Sequence, residues 1–470
     1  MFNYHIIQII QTFTMKFKYT KINTAFILFF FVGINVFAQT SDNQWIKLFN
    51  GKNLDGWEQK GGAALYSVEN GEIIGKTVAN TPNSFLCTKN KFDNFILEFD
   101  VFLDKNTNSG VQFRSTSDSA FEKGRVHGYQ CEIDPSERKW TGGIYEEGFR
   151  GWLFPVKENK KAQDAFKLGQ WNHIRIEAIG AVIKTFVNQI PVAHLDDDYT
   201  KSGFIALQVH SIGKPEEEGI MIKWKNIKII TDRPEKYTLN SNVPIKNNNN
   251  TLTHSETDWG WRLLWDGKTT NGWKSSRGGA FPAMGWQIKD GSLMVQESDG
   301  AESSRGGDII TSEKFSNFIL MVDFKLTPGA NSGIKYFVDT TIIKETGSAI
   351  GLEYQILDDL VHPDAKLGRV EGIRTLASLY DLKMAVNKNP NQIGEWNHAM
   401  LISDKNHVEH WLNGVKVLEY KRGSEDFRKL VSESKYASYK NFGESTEGPI
   451  LLQDHGNQVS FRNIKIKVLK

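Results

Sequence analysis

Phe95-Ile-Leu-Glu-Phe-Asp-Val-Phe-Leu103 decides the fold class, because its apolar and polar residues alternate. Phe95, Leu97, Phe99, Val101 and Leu103 are all apolar, and Glu98 and Asp100 fall between them. Successive side chains of a strand point to opposite faces, so period two marks a strand with one buried face, whereas an amphipathic helix repeats near 3.6. The pattern returns in Phe318-Ile-Leu-Met-Val-Asp-Phe-Lys-Leu326, where Phe318, Leu320, Val322, Phe324 and Leu326 stand against Asp323 and Lys325. Asn413-Gly414, between His407-Val-Glu-His-Trp-Leu412 and Val415-Lys-Val417, is a dipeptide suited to the positive φ angles of a tight hairpin. Neither region shows amphipathic helix over more than about three turns.

The strand is one of several segments that recur in the same order. Leu48-Phe-Asn-Gly-Lys-Asn-Leu-Asp-Gly-Trp57 returns as Leu264-Trp-Asp-Gly-Lys-Thr-Thr-Asn-Gly-Trp273, and Asn108-Ser109-Gly110 as Asn331-Ser332-Gly333. Gly169-Gln-Trp-Asn-His173 matches Gly394-Glu-Trp-Asn-His398, and Leu207-Gln-Val-His210 matches Leu452-Gln-Asp-His455. A chain of 470 residues exceeds what one core normally supports, and duplication supplies two. The expected layout is a copy over 41–232, a connector over 233–258 and a second copy over 259–470. Pro244, the asparagine run 247–250 and few apolar residues make the connector a solvated linker. Many strands with Gly-rich turns and about 200 residues per copy read as all-β: two tandem jelly-roll sandwiches.

Residues 1–38 read as an export signal, with Lys16, Lys18 and Lys21 ahead of an apolar run from Ala25 to Phe37 and a small-residue site at Ala38. The expected location is therefore periplasmic or secreted, with no membrane span once the signal is removed. Lys plus Arg is 57 against 55 for Asp plus Glu, a formal charge of +2 that gives no electrostatic footprint for nucleic acid. Aromatic residues make up 12%, including 13 Trp, which suits stacking on the apolar faces of sugar rings. For Cys87 and Cys131, the two cysteines, a disulfide and two buried thiols are both compatible with the spacing.

Period two also sorts polar residues onto faces. Gln112 and Arg114 share one face, as do Gln130, Glu132 and Asp134, and Gln208 with His210. The second copy offers Lys335, then Glu353 and Gln355, then Gln453 and His455. Each copy thus combines a cation, a carboxylate with an amide, and a Gln-x-His pair. A loop rich in glycine, aromatics and charge adds Tyr145, Glu146, Glu147 and Arg150, and its counterpart adds Tyr380 and Asp381. His173 and His398, at strand starts, read as structural.

The opening Leu-Phe-x-Gly-Lys-x-Leu-x-Gly-Trp, the Asn-Ser-Gly turn, Glu353-Tyr-Gln-Ile-Leu-Asp358, Leu379-Tyr380-Asp381, Leu452-Gln-Asp-His455 and Phe461-Arg-Asn-Ile-Lys465 resemble the 3-keto-disaccharide hydrolase domain family, with its concanavalin A/laminin-G-like jelly roll. The resemblance implies a small-molecule or oligosaccharide glycoside substrate already oxidised to a ketone at C3. That ketone acidifies the C2 proton, so a base can remove it and expel the C1 substituent, with water adding afterwards. On this reading Glu353 or His455 is the base in the second copy, with Lys335, Gln355, Asp358, Tyr380 and Gln453 binding substrate. In the first copy Glu132 and His210 are base and acid, Arg114 is the electrophile, and Gln130, Tyr145, Arg150 and Gln208 bind substrate. No cofactor is demanded; a divalent metal held by Glu, Asp and His is an open alternative.

Two rival functions stay open. Glu132-Ile-Asp134-Pro-Ser-Glu137 matches the acidic strand of retaining β-glucanases, which place two carboxyls about 5.5 Å apart, although Pro135 disfavours a continuous strand. A pair of non-catalytic glycan-binding modules fits the same fold.

Overall fold

The alternating strands form the centres of two sandwiches. The structure is a computed structural model that describes residues 44–470 apart from 158, 299–301, 304 and 343–346. Residues 1–38, read above as an export signal, lie outside the described residues. Among these, no helix is long and apolar enough to cross a membrane.

In the first copy, Phe95–Leu103 lies between Trp171–Ile179 and Met221–Ile230 in the larger, nine-stranded sheet. The smaller, seven-stranded sheet runs Gly151–Phe154, Ile144–Glu147, His127–Ile133, Ser109–Thr116, Phe204–Val209, Ser84–Thr88 and Trp57–Gly61. The second copy repeats the plan with an eight-stranded sheet around Phe318–Leu326 and a five-stranded sheet containing Asn331–Tyr336 and Leu352–Leu357. Phe95, Leu97, Phe99, Val101 and Leu103 pack into one core, and their five counterparts into the other. Each such side chain contributes about 1.5–3 kcal/mol by leaving water. The hairpin at Asn413 and Gly414 has φ of 49° and 78° there, the doubly positive turn that the dipeptide favours.

One sequence expectation needs correction, and two open alternatives are decided. The connector is not free in solvent: Lys246–Asn247 adds a parallel strand beside Ile190–Asp196, and His254–Asp258 forms a helix closed by a Thr253/Glu256 capping box. Its asparagine run is held by exchange between Asn250 and Asn463, whose side-chain oxygens each accept from the other's backbone N–H at 2.8 and 2.6 Å. Cys87 and Cys131 are buried free thiols; they sit on strands three positions apart in one sheet, roughly 14 Å at normal strand spacing, beyond disulfide reach. The acidic strand ends at Ile133, before Pro135, so Glu137 lies exposed on a turn and the β-glucanase arrangement is not formed.

Gln44–Lys470 form one compact unit, joined between the copies by charge and rings. Arg462 bonds Asp198 at 2.6 Å and Lys201 bonds Glu395 at 2.8 Å. His398, paired with Asp323 at 2.6 Å, meets the Tyr199 ring at a tilt, 4.6 Å between centroids, so this histidine has a structural part at the junction.

Candidate functional site

Two rungs of the first copy's smaller sheet carry most of the site. Gln208 pairs with Gly110, and Gly110 with Glu132. Two residues along, Gln112 pairs with Gln130, Gln130 with Tyr145, and Tyr145 with Trp152. Residues two apart share a face and neighbouring strands lie about 4.8 Å apart, so register alone gathers these side chains. Of these, Gln130, Glu132, Tyr145, Trp152 and Gln208 line a cavity of about 310 Å³ together with Asn83, Asn108, Arg125, Arg138, Glu147 and His210, at the small end of the usual range for small-molecule sites.

Glycine at position 110 is what lets the floor of this cavity close. A Cβ there would lie 2.4 Å from Cδ of Gln130, so the Gln130 amide occupies the space that a side chain would take. A hydrogen-bond chain then runs across the floor. Gln112 Nε2 donates to Gln130 Oε1 at 2.7 Å, Gln130 Nε2 to Glu132 Oε2 at 2.8 Å, and Asn108 Nδ2 to Glu132 Oε1 at 2.5 Å. Burial pushes the Glu132 carboxyl up to about 7; the amide donors and Arg138 oppose the shift, and the Asp134 charge adds to it. A base of this strength is matched to neutral conditions.

Gln208 is fully buried, and neither of its amide atoms has a partner among the described residues. A buried polar group left unmatched costs about 1–3 kcal/mol, and this one stands in the cavity wall. His210 Nδ1 lies 2.7 Å from the Ser211 carbonyl; since a carbonyl accepts only, Nδ1 carries the hydrogen. One wall is aromatic, with Tyr145 edge-on to Trp152 at 5.3 Å and Arg138 lying 5.5 Å from the Trp152 ring.

Two cations named from the sequence lie elsewhere. Arg114 has φ of 47°, which breaks the alternation and swings it out of line with Gln112. Its guanidinium is buried against the carbonyls of Asp93 and Gly180 at 2.7 and 2.8 Å. Arg150 is clamped between Glu146 and Asp197, at 2.5 and 2.7 Å, and stabilises the loop rather than lining the cavity. Asp134 falls just past the strand and binds Arg138 at 2.8 Å.

The second copy builds a related cluster with its charges moved. Gly333 pairs with Gln355, and Lys335 with Glu353. Gly110 pairs with Glu132, so Glu353 stands where the first copy has Gln130, and Gln355 where it has Glu132: carboxylate and amide have exchanged rungs. Lys335, the counterpart of Gln112, brings Nζ to 3.5 Å from Glu353. A Cβ at Gly333 would meet Glu353 Oε1 at 2.2 Å, so this glycine also makes room for the functional group above it. Burial raises the Glu353 carboxyl, with Lys335 and then Lys435 opposing.

Around this pair, Gln453 donates to Glu302 at 3.1 Å, while Gln453 Oε1, Gln355 Oε1 and His455 Nδ1 have no partner among the described residues. The Tyr380 hydroxyl donates to Asp364 at 2.8 Å, and Lys435 Nζ lies 4.3 Å from the Tyr380 ring. Asp358 is a turn anchor, accepting from the backbone N–H groups of Gly329 and Leu360 at 2.8 and 3.2 Å. Sequence reasoning passed over Arg125, Arg138 and Lys435. They sit on turns and irregular segments, where no period marks a direction; the charge of Arg138 four residues after Asp134 was the one local signal. Among the described residues, His407, Glu409 and Glu419 form the group with metal-ligand spacing. It lies on the hairpin of the larger sheet, where Lys416 already pairs with Glu419 at 2.7 Å.

The family described as 3-keto-alpha-glucoside-1,2-lyase-like domain matches residues 44–230 and again 260–467. A protein of Bacteroides thetaiotaomicron named 3-keto-disaccharide hydrolase is 39% identical over 230 residues, covering 45% of this chain and 79% of its own length. Two solved, provisionally named glycosyl hydrolases of Parabacteroides distasonis are 33% and 28% identical, with TM-scores of 0.41 and 0.35. They cover 47% and 44% of this chain and 100% and 99% of their own. Twice over, and across almost every described residue, the chain belongs to the 3-keto-alpha-glucoside-1,2-lyase-like domain family.

Proposed function

We propose that this protein is exported and cleaves 3-keto-glycosides by elimination followed by hydration. In the first copy Glu132 takes the C2 proton, the C–H electron pair forms the C1=C2 bond, and the C1–O bond breaks. His210, as imidazolium, protonates the departing oxygen. Gln208 donates to the C3 oxygen as it gains enolate character, the kind of preorganised stabilisation that such a step requires. Water then adds across C1=C2, with its hydroxyl at C1 and a proton at C2, so the net change is hydrolysis. In the second copy Glu353 is the base, and Lys335 supplies the positive charge that Gln112 lacks.

The observation that carries this reading is the buried, unpartnered Gln208 amide in the same 310 Å³ cavity as Glu132. A panel of 3-keto-glucosides, assayed with and without chelator beside intact polysaccharides, tests it. The expected result is chelator-insensitive release of aglycone from the keto-sugars. Binding of intact glycan with no turnover of any keto-sugar would overturn it in favour of a binding module.

A further inference from the structure

The two copies differ most on the outward face of the larger sheet. In the first, Glu98, Arg175 and Glu177 stand there and pair with one another at 2.6 and 2.9 Å. Aligned on the repeated segments, their counterparts are Met321, Met400 and Ile402, with Met321 and Met400 paired across the sheet as Glu98 and Arg175 are. The first copy leans on this apolar face through Phe121, Phe149 and Tyr199. The contact is incomplete and leaves a groove of about 460 Å³ between the copies.

The groove is aromatic on both sides. Phe121 comes from the first copy and Trp411 from the second, edge-on at 6.3 Å, while Trp259, 42% exposed, caps the C-terminus of the connector helix and lines the groove. Arg125 lines both this groove and the Glu132 cavity. Its Nη1 reaches Glu122 on the groove side at 2.9 Å, and its Nη2 reaches Glu147 on the cavity side at 2.7 Å. The two spaces therefore share this guanidinium as a lining group.

We propose that the groove is the aglycone site of the first copy and takes a planar aromatic ring joined to the sugar in the cavity; this rests on the sugar-site reading above. A second sugar fits less well, because its hydroxyls need free partners. Most charged groups of the groove are already engaged: Glu409 accepts from Trp411 Nε1 at 2.7 Å, Glu256 binds Lys465, and Arg150 is held by Glu146 and Asp197, with Lys467 the exception among the described residues that line it. Flat apolar rings gain from stacking on Trp and Phe without such partners. The second copy is then a wall of the first copy's binding site as well as a site in its own right.

The experiment compares phenyl and methyl 3-keto-β-glucosides and a 3-keto-disaccharide in a Glu353→Gln background, where turnover reports the first copy. Trp259→Ala is expected to lower the phenyl-to-methyl ratio of kcat/KM by about tenfold, and Trp259→Phe to restore most of it. An unchanged ratio, or a loss confined to the disaccharide, would overturn the proposal. Calorimetric binding of unoxidised phenyl β-glucoside separates the two ideas. If no keto-sugar turns over, the catalytic reading fails, while the groove proposal still requires weaker phenyl β-glucoside binding by Trp259→Ala.

Discussion

Glu132→Gln combined with Glu353→Gln is expected to lower kcat/KM for a 3-keto-glucoside by about 10²–10⁴-fold, the usual contribution of a positioned base. Gln preserves shape and can still take part in the amide chain from Gln112 through Gln130, so the fold survives and the loss reports chemistry. The first copy can be isolated in the Glu353→Gln background. There the base must be deprotonated, and burial holds the Glu132 carboxyl near 7. The limb that belongs to Glu132 therefore rises as pH passes upward through about 7, and Glu132→Gln removes it. A falling limb that Glu132→Gln removes would make Glu132 the acid instead, and a rate unchanged in the double variant would discard both assignments.

The second large effect comes from residues without side chains. Gly333→Ala would bring a methyl to 2.2 Å from Glu353 Oε1, and Gly110→Ala would bring one to 2.4 Å from Gln130 Cδ. The colliding atoms are ends of flexible side chains, so the fold yields by moving them and global stability changes little. What moves, however, is the Glu353 base in one copy and the donor to Glu132 in the other. A misplacement of about 1 Å in reacting groups can cost 10²-fold. The expected outcome is a near-normal melting temperature with kcat/KM reduced by about that factor for Gly333→Ala in the second copy. Equal losses of stability and activity would reduce the glycine to a packing role.

The sandwiches were legible because period two and duplication are long-range regularities repeated over many residues. The same rule located Gln130, Glu132 and Gln208 on one face, while His210, one residue past the strand Phe204–Val209, still lines the cavity with them. It misplaced Arg114, where a positive φ of 47° interrupts the strand, and it grouped Asp134 with a strand that had already ended. The exchange of carboxylate and amide between copies was present in the text of both strands. It becomes visible through register, when Gly110 is found opposite Glu132 and Gly333 opposite Gln355. The cations Arg125, Arg138 and Lys435 enter from irregular chain, whose path is set by tertiary packing rather than by local pattern. The connector was misread for a related reason: its polar composition implied solvent, yet asparagine side chains can satisfy backbone groups as strands do.

The central claim is that a carboxylate in each copy removes the proton at C2 of a 3-keto-sugar. Turnover of a 3-keto-glucoside carrying deuterium at C2, in ordinary water, tests it most directly. The account predicts slower release of the aglycone than from the unlabelled compound, and a sugar product with hydrogen from solvent at C2. Full retention of deuterium in the product, with release at an undiminished rate, would contradict it and place the bond-breaking event at C1 alone.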